Sequence, residues 1–112
     1  MGLELIFFST KSNKDIEEFY TETEDDFDVI EDELDEVGYL GRIGSEVLHN
    51  IYDWDLRNKS EFFVEITDFI EECFMINEDY FDDDEMEILY NLRDDLLDLV
   101  GNGYRIFVEI SY

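Results

Sequence analysis

The chain has no proline, one cysteine, one histidine and only seven basic residues, and each shortage closes off a class of protein. With Cys73 alone there is no internal disulfide, so the fold rests on its core, and a free thiol suits a reducing cytoplasm. With His49 alone, and no hydroxyl nucleophile near it except Ser45 one turn earlier, the pairing that covalent catalysis needs is thin. His49 reads as a surface or core-edge residue of its helix. Residues 39–44, YLGRIG, lack the lysine and the sequel of a phosphate loop. Seven bases form no basic patch with interleaved aromatics, which excludes direct nucleic-acid binding. No apolar run approaches membrane-spanning length. The start, Met1-Gly2-Leu3-Glu4, has no basic segment followed by an apolar run, so no secretion signal is expected. Gly2 is not followed by Ser or Thr at position 6, where Ile6 stands, so it lacks the myristoylation pattern.

What the chain has in excess is carboxylate. Thirty-three acids against seven bases give a net charge of −26. A small domain stays soluble with a net charge of about 2 to 8 in magnitude, so solubility does not account for the surplus. The acids are clustered. Residues 22–36 hold ten (Glu22, Glu24, Asp25, Asp26, Asp28, Glu31, Asp32, Glu33, Asp35, Glu36) with no base among them. A second run holds Glu78, Asp79, Asp82, Asp83, Asp84, Glu85 and Glu87. Like charges three or four apart on a helix repel by roughly 0.2 to 0.5 kcal/mol per pair, so folding gains nothing from this crowding. Ten Phe and seven Tyr in a chain that is 45% hydrophobic mean that the charge is carried on one folded domain, residues 1–112, and not on a disordered tail.

The order of elements follows from periodicity. Residues 3–9, LELIFFS, read as a strand with apolar side chains on both faces. Ser12 and Asp15 resemble a helix start, and Ile16, Phe19, Tyr20, Thr23, Phe27, Ile30, Leu34 and Val37 recur at steps of three and four, so the acidic stretch reads as the wet face of one helix or two, ended by Gly38. Ser45 caps a helix running to about Leu56. Residues 61–67 alternate as a second strand, and 68–75 suggest a short helix, with a hairpin strand ending in CFMI as the other reading. Residues 83–100 form a helix with Met86, Leu89, Leu92, Leu96, Leu97 and Val100 as its stripe, ended by Gly101-Asn102-Gly103, and residues 104–112 form the third strand. Strands alternating with helices, β-α-α-β-α-α-β, predict an α/β fold with a three-stranded, mostly parallel sheet. Its second face is expected to meet another helix or a partner.

Metal chemistry finds little support. A calcium loop needs a glycine that residues 79–87 lack, and a metal nuclease would repel its own substrate. A metal-dependent enzyme and a halophile domain with acids spread over its whole surface remain as minor alternatives. The expectation is a protein without catalytic residues, cofactor or metal.

The layout resembles the barstar-like family of intracellular nuclease inhibitors. Three features carry the resemblance: the order of elements, the helix DDLLDLVGNG leading into the last strand YRIFVEISY, and the tract YLGRIGSEVLHNIYDWD, similar to the family's Tyr-x-Gly loop before its inhibitory helix. Tyr39 and Gly41 fit that loop. The family's Asn is replaced by Ile43, and its inhibitory Asp positions fall on Ser45 and His49. The resemblance implies contacts from Tyr39, Glu46, Asp53, Asp94, Asp95 and Asp98. A row of carboxylates mimicking phosphates would instead use Asp25, Asp28, Asp32, Asp35 and Glu36, together with Asp79, Asp82, Asp83, Asp84 and Glu85. Tyr39, Tyr52, Trp54, Tyr80 and Phe81 are candidate anchors. Both readings expect a cytoplasmic inhibitor of a basic nucleic-acid enzyme. An immunity protein against a nuclease toxin leads, and a phage-type DNA mimic blocking a restriction, repair or CRISPR enzyme is the alternative.

Overall fold

The computed structural model describes residues 2–54 and 62–112. In chain order these form β1 (Glu4–Thr10), β2 (Tyr20–Glu22), β3 (Phe27–Val29), β4 (Asp35–Leu40), α1 (Ser45–Trp54), β5 (Phe63–Glu65), α2 (Ile70–Cys73), α3 (Asp83–Gly101) and β6 (Arg105–Ser111). Short 3-10 turns lie at Ile16–Phe19, Glu31–Glu33, Arg42–Gly44 and Glu78–Tyr80. The sequence-predicted end near Leu56 of the helix that starts at Ser45, and the start of the second strand at Glu61, fall outside the described residues.

The main sheet has four strands in the order β4-β1-β6-β5, and every neighbouring pair is antiparallel. This overturns the expected three-stranded, mostly parallel sheet. The reason is β4, a strand the sequence hides: it opens with Asp35 and Glu36 and has Gly38 in its middle, all poor strand residues. It brings the chain back beside β1, where helical crossovers to a parallel neighbour had been expected. A bulge at Val37 shifts its register, so that Phe7 faces Gly38 while Phe8 faces Glu36. Gly38 was expected to stop a helix; it is instead a place where α3 touches the sheet. A Cβ there would lie 2.4 Å from Cδ1 of Leu92.

β1 and β6 are central, which is why both carry apolar residues on both faces. Leu5 and Phe7 with Ile106, Val108 and Ile110 face α1, α2 and α3, meeting Val47, Ile51, Leu89 and Leu96 in the larger core, and Val64 and Ile66 extend it. Phe8, Phe63 and Phe107 face the other way and form a second core with Phe19 and Leu34. Cys73 is a fully buried member of the larger core, behaving as a small hydrophobe.

The acidic stretch is the cover of that second face. It is an arm made of the β2–β3 hairpin and the turn at Glu31–Glu33, not a helix. Strand alternation places Phe27 and Val29 inward and Asp28 outward. A chain of ring contacts fastens the arm: Phe107 stacks on Phe63 with centroids 5.3 Å apart, Phe63 meets Tyr20 at 5.6 Å, Tyr20 meets Phe27 at 5.3 Å and Phe27 meets Phe62 at 5.5 Å. Three- and four-residue spacing also suits an arm whose apolar residues come from turns and short strands. Ten carboxylates with no base among them along one helix would oppose that helix; a hairpin splays them apart. Lys14 pairs with Glu33 beside the arm, and its pKa is raised chiefly by that hydrogen bond, against an opposing desolvation.

Candidate partner-binding surface

The expected contact residues separate onto the two sides of the sheet. On the arm, Asp25 is exposed in the β2–β3 turn, which Thr23 N closes by donating to Asp26 O at 2.8 Å. Asp28 points outward from β3, Asp32 is exposed in the following turn, and Asp35 and Glu36 are exposed at the start of β4. Charge on an edge strand discourages pairing with another chain, which gives Asp35 and Glu36 a role within the fold. The arm turns its aromatics inward, and Ile30, at 37% exposure, is its largest exposed apolar residue.

The helical side differs. Asp79, Asp82, Asp83, Asp84, Asp94 and Asp95 are all exposed there, and Glu85 is half-buried. Asp82 and Glu85 have a local use. Asp82 caps α3 by accepting from Glu85 N at 2.8 Å, and Glu85 returns the contact by accepting from Asp82 N at 3.1 Å. This capping box, with Asp83 and Asp84 in the first turn, favours the helix through its positive N-terminal end. No such reason covers the other end. Asp94, Asp95 and Asp98 lie toward the negative C-terminus, and the last turn contains no base. From Asp84 through Glu87, Asp94 and Asp95 to Asp98 the exposed acids follow one side of α3 for about 20 Å, at 1.5 Å per residue.

One exposed apolar group borders this row: Ile88, 51% exposed between Asp84 and Asn91. Tyr80, 75% exposed, lines a cleft with Arg42, Ile43, Glu46, His49 and Glu85 at the start of α1. The turn carrying Tyr80 is fixed to α3, because Tyr90 Oη donates to Glu78 Oε1 at 2.8 Å and the Arg93 guanidinium lies 4.7 Å from the centre of the Tyr90 ring. That hydrogen bond, with desolvation and the Glu78 charge, raises the Tyr90 pKa against the opposing Arg93 charge. Met75, 71% exposed, lies on the same layer after α2. Ile88 and Met75 were missed as candidates. Ile88 was legible, since it is the apolar residue of α3 that falls off the buried stripe.

The residues implied by the family resemblance do not all join this surface. Tyr39 is half-exposed on β4, its hydroxyl 3.3 Å from Glu4 Oε1 of β1; desolvation, with help from Glu4, raises its pKa. Asp53 lies 3.6 Å from His49 on the exposed side of α1. Glu46 is drawn inward, its Oε1 accepting from Asn77 N at 2.8 Å and its Oε2 buried without a hydrogen-bond partner. Of the proposed anchors whose side chains are described, Tyr80 is the most exposed, Phe81 packs against the core, and the Tyr52 hydroxyl meets that of Tyr112 at 2.5 Å; the Trp54 side chain is not among those described.

Among the described residues the acids do not converge: no group of three or more His, Cys, Asp or Glu is placed to hold a metal ion. No described helix is long and apolar enough to cross a membrane. No protein-family model, curated protein or solved structure matches this chain.

Proposed function

We propose that this protein is an acidic inhibitor that binds and neutralises a basic nucleic-acid-acting enzyme, its carboxylates standing in for phosphates, and that it serves in the cytoplasm as an immunity protein against a nuclease toxin. The observation that carries this reading is the row on α3: exposed carboxylates, several placed against the helix dipole, beside the exposed Ile88. Charge of this density speeds encounter with a basic cleft, an effect measured in the very inhibitor family named above. Exposed aromatic and aliphatic groups within such charge supply anchors that charge alone lacks.

A second reading, a phage-type DNA mimic blocking a restriction, repair or CRISPR enzyme, draws on the acidic arm. Its presence on the opposite side of the sheet gives the molecule two anionic faces, as a duplex has two phosphate strands. Recovery of the natural partner from the source cell at low salt tests both. A toxin-type nuclease eluted by salt and inhibited by the pure protein is the expected result; recovery of no basic protein contradicts both readings.

A further inference from the structure

The main sheet ends in two unlike edges. β5 contributes three residues, two of them fully buried. β4 contributes six, Asp35–Leu40, of which only Leu40 is buried, and in the sheet it pairs with β1 alone. On its outer side no backbone hydrogen bond reaches it from any described residue. A free edge of this length offers its N–H and C=O groups to another chain unless something blocks it. What blocks it here is charge, which acts by sign. The bulge at Val37 sets Glu36 opposite Phe8 and Tyr39 opposite Ile6, so Glu36 and Tyr39 stand on one face of the sheet. Glu4 joins them there, its Oε1 3.3 Å from the Tyr39 hydroxyl. A second copy of this chain pairing through β4 would bring like charges together, whereas a basic strand would find opposite charge at Glu36 and Glu4 and the exposed ring of Tyr39.

We propose that the outer edge of β4 takes up an extended segment of the basic partner as a fifth strand of the sheet, with Lys or Arg at alternate positions toward Glu36 and Tyr39 and an apolar residue beside Gly38. Main-chain hydrogen bonds supply the affinity in such strand addition, and the alternating side chains supply the choice of sequence. Gly38 has no side chain to cover the position next to it on the α3 side, and an apolar residue of the added strand can lean across it toward Leu92. Leu92 lies against Gly38, so this edge adjoins the helix that carries the acid row. The proposal rests on the inhibitor reading and adds to it how the partner's backbone is held.

A Lys-Val-Lys-Val-Lys-Val peptide, titrated into the isotopically labelled full chain at about 0.15 M salt and followed by amide shifts and hydrogen exchange, tests the proposal. The expected result is movement and slowed exchange of amides in residues 35–40. The same peptide with every backbone amide N-methylated keeps its charge and loses its donors, and should bind at least about tenfold more weakly. Glu36→Lys in the protein should also weaken binding of the unmodified peptide about tenfold, whereas Glu22→Lys on the arm, the same change of charge, should weaken it less than about twofold. If Glu36→Lys fails to fold, the comparison of the two peptides on the wild-type chain decides alone. Equal binding of the two peptides, equal loss from Glu36→Lys and Glu22→Lys, shifts away from β4, or no binding would overturn the proposal. With the natural partner in hand the two readings separate. An enzyme inhibited equally well by the Glu36→Lys variant sinks the strand addition alone, whereas uptake of the peptide at β4 with no basic enzyme recovered sinks the inhibitor reading alone.

Discussion

Arg105 of β6 and Glu65 of β5 form a two-pronged ion pair, Nε to Oε2 and a terminal guanidinium nitrogen to Oε1, each at 3.0 Å. The same guanidinium donates to the carbonyls of Ser12 at 2.9 Å and Lys14 at 2.6 Å, and lies over Phe107. One of the few cations of the chain is therefore spent inside the fold, joining the sheet edge to the segment that leads into the acidic arm. Both side chains are largely shielded, at 22% and 32% exposure, so removing one leaves the other poorly solvated. Arg105→Ala is expected to lower unfolding free energy by about 2 to 3 kcal/mol, measured by urea denaturation. A loss below about 0.5 kcal/mol would place the pair among ordinary surface bridges.

Phe19 is the fully buried plug beneath the arm, with its ring 5.1 Å from that of Phe107. Phe19→Ala removes it and should destabilise by about 3 to 5 kcal/mol. Hydrogen exchange should speed first in the β2–β3 hairpin, whose strands are only three residues each, and later in β1 and β6. Uniform acceleration across the molecule would mean that the arm and the sheet unfold as one unit.

Asp98 stands in the last turn of α3 with no base beside it. Asp98→Asn should raise stability by about 0.3 to 1 kcal/mol at low ionic strength. The wild-type protein should itself gain stability as salt rises toward about 0.15 M, because screening weakens repulsion across a net charge of −26. Thermal melts over a salt series check both expectations; indifference to salt would mean that the surface charges scarcely feel one another.

Tyr90 and Tyr39 both have pKa values raised above that of ordinary tyrosine, Tyr90 chiefly by donating to Glu78 and Tyr39 chiefly by desolvation. Each keeps its proton in the fold at a pH where the unfolded chain has begun to lose it. Their stabilising contribution is therefore complete below about pH 10 and declines as pH rises through the raised folded values. Tyrosinate absorbance should show a late-titrating component that shrinks in Tyr90→Phe. A titration unchanged by that substitution would remove the Tyr90–Glu78 bond from the account.

The sequence revealed α3 well, because its apolar stripe and its glycine stop agree. β1 and β6 were also legible, as apolar runs too short for helices. The arm and β4 were not. Phe19, Thr23, Phe27, Ile30 and Leu34 have a spacing that fits a helix and also fits a hairpin whose inward residues come from separate turns, and single-chain periodicity does not choose between them. Charge crowding in residues 22–36 was the signal against the helix. β4 was hidden because its reason for Gly38 lies far away in sequence, at Leu92. Among the candidate contacts, the two acidic runs were visible as runs, but not their division between opposite faces of the sheet, which depends on where the arm folds. The internal duties of Asp82, Glu85 and Glu46 likewise appear only once their hydrogen bonds are seen.

The most direct test is inhibition of the natural basic enzyme, measured against salt, by the wild-type chain and by a variant with Asp84, Glu87, Asp94, Asp95 and Asp98 replaced by their amides. Wild-type affinity should fall steeply with salt, and the variant should bind at least about tenfold more weakly through a slower association. Unchanged inhibition by the variant would contradict the assignment of the α3 carboxylates as the recognition surface.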